Sequence, residues 1–117
     1  MVWGDPQLLD SIHNPSSLNY EVSLESSELS FYGAPEQPDF GTIKISLWPT
    51  ERVPELKSVK KYLHSFRTVY VSYERLTTDI YNDFWRIYNP NRLIVEITFN
   101  PRGGISSYLR VDSEDNA

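Results

Sequence analysis

The chain has 117 residues, a formal net charge of −5 and no cysteine. This length suits one small domain, and the lack of cysteine excludes disulfides, thiolate metal sites and a thiol nucleophile. The negative charge argues against direct nucleic-acid binding, which depends on clustered Lys and Arg. Since neither a membrane-spanning apolar run nor a secretory signal is visible, a soluble cytoplasmic protein without a membrane partner is expected.

The first part of the chain combines a turn-rich arm with two strands. Turn-forming residues dominate 1–18, which predicts an N-terminal arm without regular elements. Alternating apolar and polar residues predict one strand over 19–31 and a second over 42–48. Gly33, Pro35 and Pro38 predict a loop between these two strands.

Two amphipathic helices are expected next. Pro54 suits the first turn of a helix, and Glu55 would favour the positive end of its dipole. The second helix is predicted over 73–88, where Asn89-Pro90 ends it. The first helix has two faces, an apolar one with Leu56, Val59, Leu63 and Phe66 and a basic one with Lys57, Lys60, Lys61 and His64.

The last elements form a hairpin. Strands are predicted over 93–99 and 105–111, and residues 101–104 supply the reversal before an acidic tail, 113–117, that is expected to fray. The order strand, strand, helix, helix, strand, strand predicts an α+β domain over 19–112. Its antiparallel four-stranded sheet would be covered on one face by the two helices.

Four short motifs carry a resemblance to a known family. They are ELKSVKKY at 55–62 with SFR at 65–67, QPDF at 37–40, Glu74, and PRGGIS at 101–106. In this order they resemble the QueF nitrile reductases over roughly residues 19–107. The resemblance implies a tunnelling fold (T-fold), whose subunits join sheets edge to edge. A homo-oligomer with sites between neighbours is therefore expected, which would also pair the exposed sheet edges.

The resemblance also implies a reaction and a set of site residues. QueF enzymes use NADPH to reduce the nitrile of 7-cyano-7-deazaguanine to an aminomethyl group, on the path to queuosine in tRNA. By family position, Asp39 would be the proton donor, and Lys57, Lys60 and Arg102 would bind the cofactor. The substrate-binding residues implied in the same way are Glu74, Tyr73, Glu55 and Ser58; position 73 is usually His in the family. No metal is implied.

Each of these residues also has a simpler interpretation. Glu74 could be an acidic residue favoured by the helix dipole, although its carboxylate can accept two parallel hydrogen bonds from a guanine-like edge. Lys57 and Lys60 share one side of a helix, which is typical of a solvated face as well as of polyphosphate binding. Asp39 ahead of a strand is ordinarily a turn residue.

The family nucleophile is missing. QueF enzymes attack the nitrile with a cysteine just before the QPDF-like segment, and here that position falls on Gly33 or Ala34. Neither side chain is a nucleophile. Ser30 or Ser58 would need activation by a base that no motif provides. Standard thioimide chemistry is therefore not expected.

Several functions remain open at this point. A divergent nitrile reductase predicts that Gly33→Cys or Ala34→Cys restores a covalent adduct with the nitrile base. A binding module without chemistry predicts ligand binding that Glu74→Gln abolishes, with no NADPH consumption. A QueF-like amidinotransferase ranks lower because the cofactor-helix signature is present. A GTP cyclohydrolase is excluded because two histidines without cysteine cannot supply its zinc ligands.

Overall fold

The computed structural model describes residues 4–34 and 37–117. A 3₁₀ turn over Pro6–Leu8 begins this part of the chain, and another over Ser113–Asn116 ends it. Between them the regular elements are β1 (Ser11–His13), β2 (Val22–Ala34), β3 (Gln37–Trp48), β4 (Arg52–Pro54), α1 (Leu56–His64), α2 (Tyr73–Tyr88), β5 (Arg92–Arg102) and β6 (Ile105–Asp112).

The main sheet is antiparallel, with the strand order β2-β3-β5-β6. Its register places Leu24, Ile45, Val95 and Val111 in one row across the four strands. The next row has Glu25, Lys44, Glu96 and Arg110, so successive rows present opposite faces, as the pleat requires. The predicted α+β class is confirmed, and β2 and β6 are the two edges.

The core lies between the helices and the apolar face of the sheet. Ile45 and Val95 are almost fully buried in it. From α1 and the turn after it, Val59, Leu63 and Phe66 are buried, and from α2 so are Leu76, Ile80 and Phe84. Leu56 is 65% exposed, so its predicted place in the packed stripe is wrong. It stands at the first helical position, ahead of the turn that faces the sheet.

Helix α2 spans the predicted residues 73–88, whereas α1 begins later than predicted. Pro54 ends β4 and pairs with Ser11 of β1, so it does not form the first helical turn. Glu55 is the N-cap, and its carboxylate accepts hydrogen bonds from the backbone N–H groups of Lys57 (2.7 Å) and Ser58 (3.1 Å). Capping satisfies N–H groups that the helix itself leaves unpaired.

The two hairpins differ in how well local sequence predicts them. The predicted loop at 33–38 is wrong, because β2 continues to Ala34 and β3 starts at Gln37. Gly33 and Pro38 lie within the strands, where cross-strand pairing and a register shift accommodate them; Pro35 lies outside the described residues. The β5–β6 turn is confirmed, with Gly103 and Gly104 at φ +59° and +80°, values that glycine adopts readily.

Both ends of the chain are more ordered than predicted. Strand β1 of the arm pairs with β4, and the Asp10 carbonyl accepts a hydrogen bond from the Tyr88 hydroxyl at 2.8 Å. The tail forms a 3₁₀ turn rather than fraying, and the Ser113 hydroxyl accepts a hydrogen bond from the Leu93 N–H at 3.0 Å. Among the described residues, no helix has the length and hydropathy needed to cross a membrane.

Candidate functional site

A small cleft forms where the β2–β3 hairpin, the start of α2 and the end of β5 meet. It measures about 370 Å³ and is lined by Gly33, Asp39, Ser72, Tyr73 and Arg102. These residues are far apart in sequence. A backbone contact joins two of the segments that carry them, because the Tyr32 N–H donates to the Val69 carbonyl (2.9 Å) and the Tyr32 carbonyl accepts from the Val71 N–H (3.0 Å).

Asp39 is the centre of the cleft. Its side chain is only 4% exposed, yet its Oδ2 accepts hydrogen bonds from the Tyr73 hydroxyl (2.5 Å) and from Arg102 Nη1 (3.1 Å). Its Oδ1 accepts from the backbone N–H of Phe40 at 3.0 Å. A buried carboxylate is stable only with such partners. Asp39 is therefore a fixed acceptor and not a surface turn residue.

Tyr73 is held as rigidly as the carboxylate that it contacts. Its ring stacks on Phe99, with centroids 3.9 Å apart and planes 4° apart, and meets Phe31 edge-on at 5.8 Å. Burial, followed by the hydrogen bond to Asp39, raises the pKa of Tyr73 to about 12. The phenol therefore keeps its proton at neutral pH and acts as a hydrogen-bond donor.

Position 33 faces the same carboxylate. A Cβ added to Gly33 would lie 3.0 Å from Asp39 Oδ2 and 3.8 Å from Tyr73 Cε1. Of the two positions predicted for the missing nucleophile, Gly33 thus lies in the cleft beside Asp39. Ala34 ends β2, and its side chain lies outside the described part of the chain.

Glu74 follows the cleft residue Tyr73 in the first turn of α2 and is exposed, although it does not itself line the cleft. The helix N-cap is Ser72, whose hydroxyl accepts from the Arg75 N–H at 3.1 Å. Within residues 4–34 and 37–117, no hydrogen bond or ion pair engages the Glu74 carboxylate. It is therefore open to a ligand in the single chain.

The other predicted site residues gather at the start of α1. Glu55 caps the helix, and the buried Ser58 hydroxyl donates to the Glu55 carbonyl (2.6 Å) and accepts from the Asp10 N–H (2.9 Å). Lys57 and Lys60 are exposed on the same helix. The polar atoms of Glu55 and Ser58 are thus engaged within the chain, whereas Lys57 and Lys60 are exposed to solvent.

A groove of about 360 Å³ lies between α1 and strands β2 and β3, and Lys60 and His64 line one wall of it. Glu25 and Glu28 line the strand side. This groove shares no lining residue with the Asp39 cleft. Arg102, predicted to act with the lysines, lies instead with Asp39.

Sequence reasoning missed two parts of the cleft. Ser72 was not singled out, although a Ser just before a helical pattern is a usual N-cap signal. The hydrogen bond from Arg102 to the Gln37 side chain ties the PRGG turn to the QPDF motif, and no local pattern indicates it. In the described part of the chain, no group of three His, Cys, Asp or Glu residues is arranged to hold a metal ion.

Comparison with known proteins gives one consistent result. The family model described as "QueF-like protein" matches residues 38–117. A protein of Prochlorococcus marinus strain NATL2A named NADPH-dependent 7-cyano-7-deazaguanine reductase is 39% identical over 103 residues, 84% of this chain and 71% of its own. A protein of the same name from Wolinella succinogenes is 31% identical and covers 96% of this chain and 91% of its own.

A solved structure shares the fold. The apo form of an archaeosine synthase described as QueF-Like superposes with a TM-score of 0.72 over 79% of this chain and 91% of its own, at 18% identity. The family match covers more than half of the chain, and it includes Asp39, Tyr73, Glu74 and Arg102. The chain belongs to the QueF-like family.

Proposed function

We propose that this protein binds 7-cyano-7-deazaguanine without forming the covalent thioimide of the reductases. The observation that carries the proposal is the cleft itself, which Asp39, Tyr73 and Arg102 line together with Gly33 while no thiol is present. The deazapurine would lie between Glu74 and this cleft, with its nitrile directed towards Gly33.

Glu74 would recognise the guanine-like edge of the ligand. Glu74 is exposed and follows the cleft residue Tyr73, and its carboxylate can accept hydrogen bonds from a ring N–H and an exocyclic amine at once. Such charge-assisted bonds contribute about 1.5–3 kcal/mol each when they are well desolvated. Glu74 therefore supplies most of the selectivity for a deazaguanine.

The other end of the cleft suits the nitrile. The Arg102 guanidinium carries a positive charge and has N–H groups beyond those bonded to Asp39 and Gln37, so it can donate to or polarise an electron-rich nitrogen. The single Tyr73 proton is donated to Asp39, which holds the carboxylate that orients Arg102. Because glycine has no side chain, nothing at position 33 adds to the nitrile carbon, and the bound base stays unmodified.

NADPH is the cofactor that this family implies, and the residues of α1 fit it. Lys57 and Lys60 present two ammonium groups on one exposed helix, which suits a pyrophosphate or a 2′-phosphate. Bound there, NADPH would supply a hydride. Lys60 and His64 would hold the phosphates on the helix side of the groove, away from Glu25 and Glu28.

A homo-oligomer would bring the α1 lysines of one copy close to the Asp39 cleft of another. In one chain the lysines and the Asp39 cleft are separate places. Strands β2 and β6 are the edges of the main sheet, and β2 is bridged on its outer side at Tyr32, to residues 69–71. Pairing β2 of one copy with β6 of the next removes both edges and sets α1 of one copy near α2 of its neighbour. The complete site would then lie between adjoining subunits.

Reduction of the nitrile is the second candidate function. It is favoured by relatives that are 31–42% identical and are named NADPH-dependent 7-cyano-7-deazaguanine reductases. It requires hydride to reach a nitrile carbon that no thiol has activated. The amidinotransferase ranks lower still, because it needs the same kind of cysteine and also normally lacks the cofactor-helix signature that this chain carries at 55–62.

Two measurements on one preparation test the proposal. Calorimetric titration with 7-cyano-7-deazaguanine is expected to show binding that Glu74→Gln weakens by about 100-fold, since roughly 2.7 kcal/mol of charge-assisted bonding is lost. Glu21→Gln is the matched control, because Glu21 is exposed near the start of β2 and should leave the affinity unchanged. The near-ultraviolet absorbance of NADPH should stay constant when base and cofactor are mixed.

Each outcome has a defined meaning. Equal loss of affinity in Glu74→Gln and Glu21→Gln, or no binding by the unaltered protein, would refute the proposed site. Oxidation of NADPH that depends on the nitrile base would replace non-covalent binding with reduction as the function.

A further inference from the structure

The glycine at position 33 is not required by its backbone. Among the described glycines only Gly103 and Gly104 have positive φ, so Gly33 adopts a conformation open to other residues. Its constraint is steric: a Cβ there would lie 3.0 Å from Asp39 Oδ2, closer than ordinary van der Waals contact. A side chain fits at position 33 only if the carboxylate of Asp39 moves.

Asp39 is prevented from moving chiefly by Tyr73. The short hydrogen bond from the Tyr73 hydroxyl holds the same oxygen that crowds position 33. The phenol is itself fixed, because its ring lies flat on Phe99 and edge-on to Phe31. Arg102 also bonds Oδ2, but it is a long side chain, 40% exposed, and can follow the carboxylate.

We propose that Tyr73 is a positioning residue that holds Asp39 against Gly33, so that the site accommodates glycine and no larger residue at position 33. The effect of a substitution at Gly33 then depends on the residue at position 73. This dependence does not rest on the proposed function, whereas the identification of the cleft as the ligand site does. A thiol placed at position 33 becomes reactive only when the Tyr73 hydroxyl is also removed.

The chemistry of such a thiol explains this dependence. The Cβ of a residue at position 33 would lie 3.0 Å from Asp39 Oδ2. A carboxylate so close to a cysteine side chain disfavours the thiolate, which is the nucleophilic form. Without the Tyr73 hydroxyl, the carboxylate can turn towards Arg102 and away from position 33. The thiol then gains both space and a lower pKa.

Alkylation with iodoacetamide tests the coupling without any nitrile ligand. The rate is measured against pH by intact mass for Gly33→Cys and for Gly33→Cys with Tyr73→Phe; the chain has no other cysteine to interfere. The double variant is expected to react about tenfold faster near neutral pH, with a lower pH midpoint, as one unit of thiol pKa predicts. Gly33→Cys with Tyr108→Phe is the control, because Tyr108→Phe removes a phenol hydroxyl that bonds Glu96 on β5 and not Asp39. This control should react at the same rate as Gly33→Cys alone.

Gly33→Ala provides a second measurement that needs no thiol. It is expected to lower the melting temperature by about 4 °C in the parent protein and by much less in the Tyr73→Phe background. Equal alkylation rates in the single and double cysteine variants would overturn the proposal. If the cysteine variants do not fold, an unchanged effect of Gly33→Ala in the two backgrounds would overturn it instead.

The same variants separate this inference from the proposed function. If the double variant is alkylated faster but the protein does not bind 7-cyano-7-deazaguanine, the coupling of positions 33 and 73 is supported and the proposed function is refuted. If binding depends on Glu74 but the alkylation rates are equal, the proposed function is supported and the coupling is refuted. When both hold, the double variant should form an adduct with the nitrile base and Gly33→Cys alone should form little.

Discussion

Asp112→Asn is expected to destabilise the protein because it removes a buried charge that three groups contact. Asp112 ends the edge strand β6 and is 4% exposed. Its carboxylate accepts hydrogen bonds from Arg92 Nη2 (2.8 Å), from Arg110 Nη2 (3.1 Å) and from the Glu114 N–H (3.0 Å). These contacts join β5, β6 and the C-terminal turn, and Asn would keep the shape while losing the charge.

The pKa of Asp112 gives the size of the effect. The hydrogen bond from Arg92, together with the Glu114 N–H and the nearby guanidinium charges, lowers this pKa from 3.8 to about 2. At 1.36 kcal/mol per unit the shift corresponds to about 2.5 kcal/mol. Arg92 and Arg110 are 32% and 39% exposed, so screening by solvent reduces the expected loss to about 1–2 kcal/mol. The melting temperature should fall by about 4–8 °C.

The pH dependence has a definite sign. Because the folded-state pKa lies below the unfolded value, the stabilisation is complete above about pH 5 and is lost as the pH falls through the unfolded pKa towards 2. At pH 3 the difference between the parent protein and Asp112→Asn should therefore be about half of its value at pH 7. Urea unfolding at both pH values, at one protein concentration, measures this difference.

Glu114→Gln is the matched control for Asp112→Asn. Glu114 lies 3.2 Å from Arg92 but is 64% exposed, so its loss should cost less than about 0.5 kcal/mol. If the two variants were equally stable, or if the Asp112→Asn difference were as large at pH 3 as at pH 7, the assignment of the stabilisation to a buried, ionised Asp112 would be wrong.

Two further predictions concern local structure. Glu55→Ala should lower the free energy of unfolding by about 1 kcal/mol because the α1 cap is lost, whereas Glu55→Ser should keep the cap. If the Glu55 carboxylate also binds the deazapurine, calorimetric titration should show the same loss of ligand affinity in both variants. Affinity retained in Glu55→Ser would mean that Glu55 only caps the helix. Gly104→Ala should cost about 1 kcal/mol in urea unfolding through its positive φ alone, since no atom lies within 4 Å of the added Cβ; a neutral result would contradict the left-handed turn.

Much of the fold follows from local sequence. Strict alternation over Ile43, Ile45 and Leu47 indicates a half-buried strand because strand side chains alternate between faces. Helix α2 is recognised in full because a regular apolar stripe and the Asn89-Pro90 stop agree. Errors fall where tertiary pairing overrides local preference, as at Pro54, which pairs with β1 of the docked arm.

The residues of the candidate site could likewise be predicted from the sequence, but their contacts could not. Family motifs in the sequence single out Asp39, Glu74 and Arg102, and composition alone reveals that no thiol is present. Neither the motifs nor the composition indicates that Arg102 bonds Asp39, or that Gly33 rather than another residue faces the Asp39 carboxylate. The resemblance had grouped Arg102 with the lysines of α1.

The sequence by itself determined the α+β class, the extent of α2, the central strands and the family, because these depend on periodicity and on short motifs within one segment. The tertiary structure alone decided how Tyr73, Asp39 and Gly33 contact one another across separations of up to 40 residues. Such contacts depend on where the chain returns in space, and no local pattern of residues encodes that. The coupling between positions 33 and 73 is consequently a property of the folded molecule.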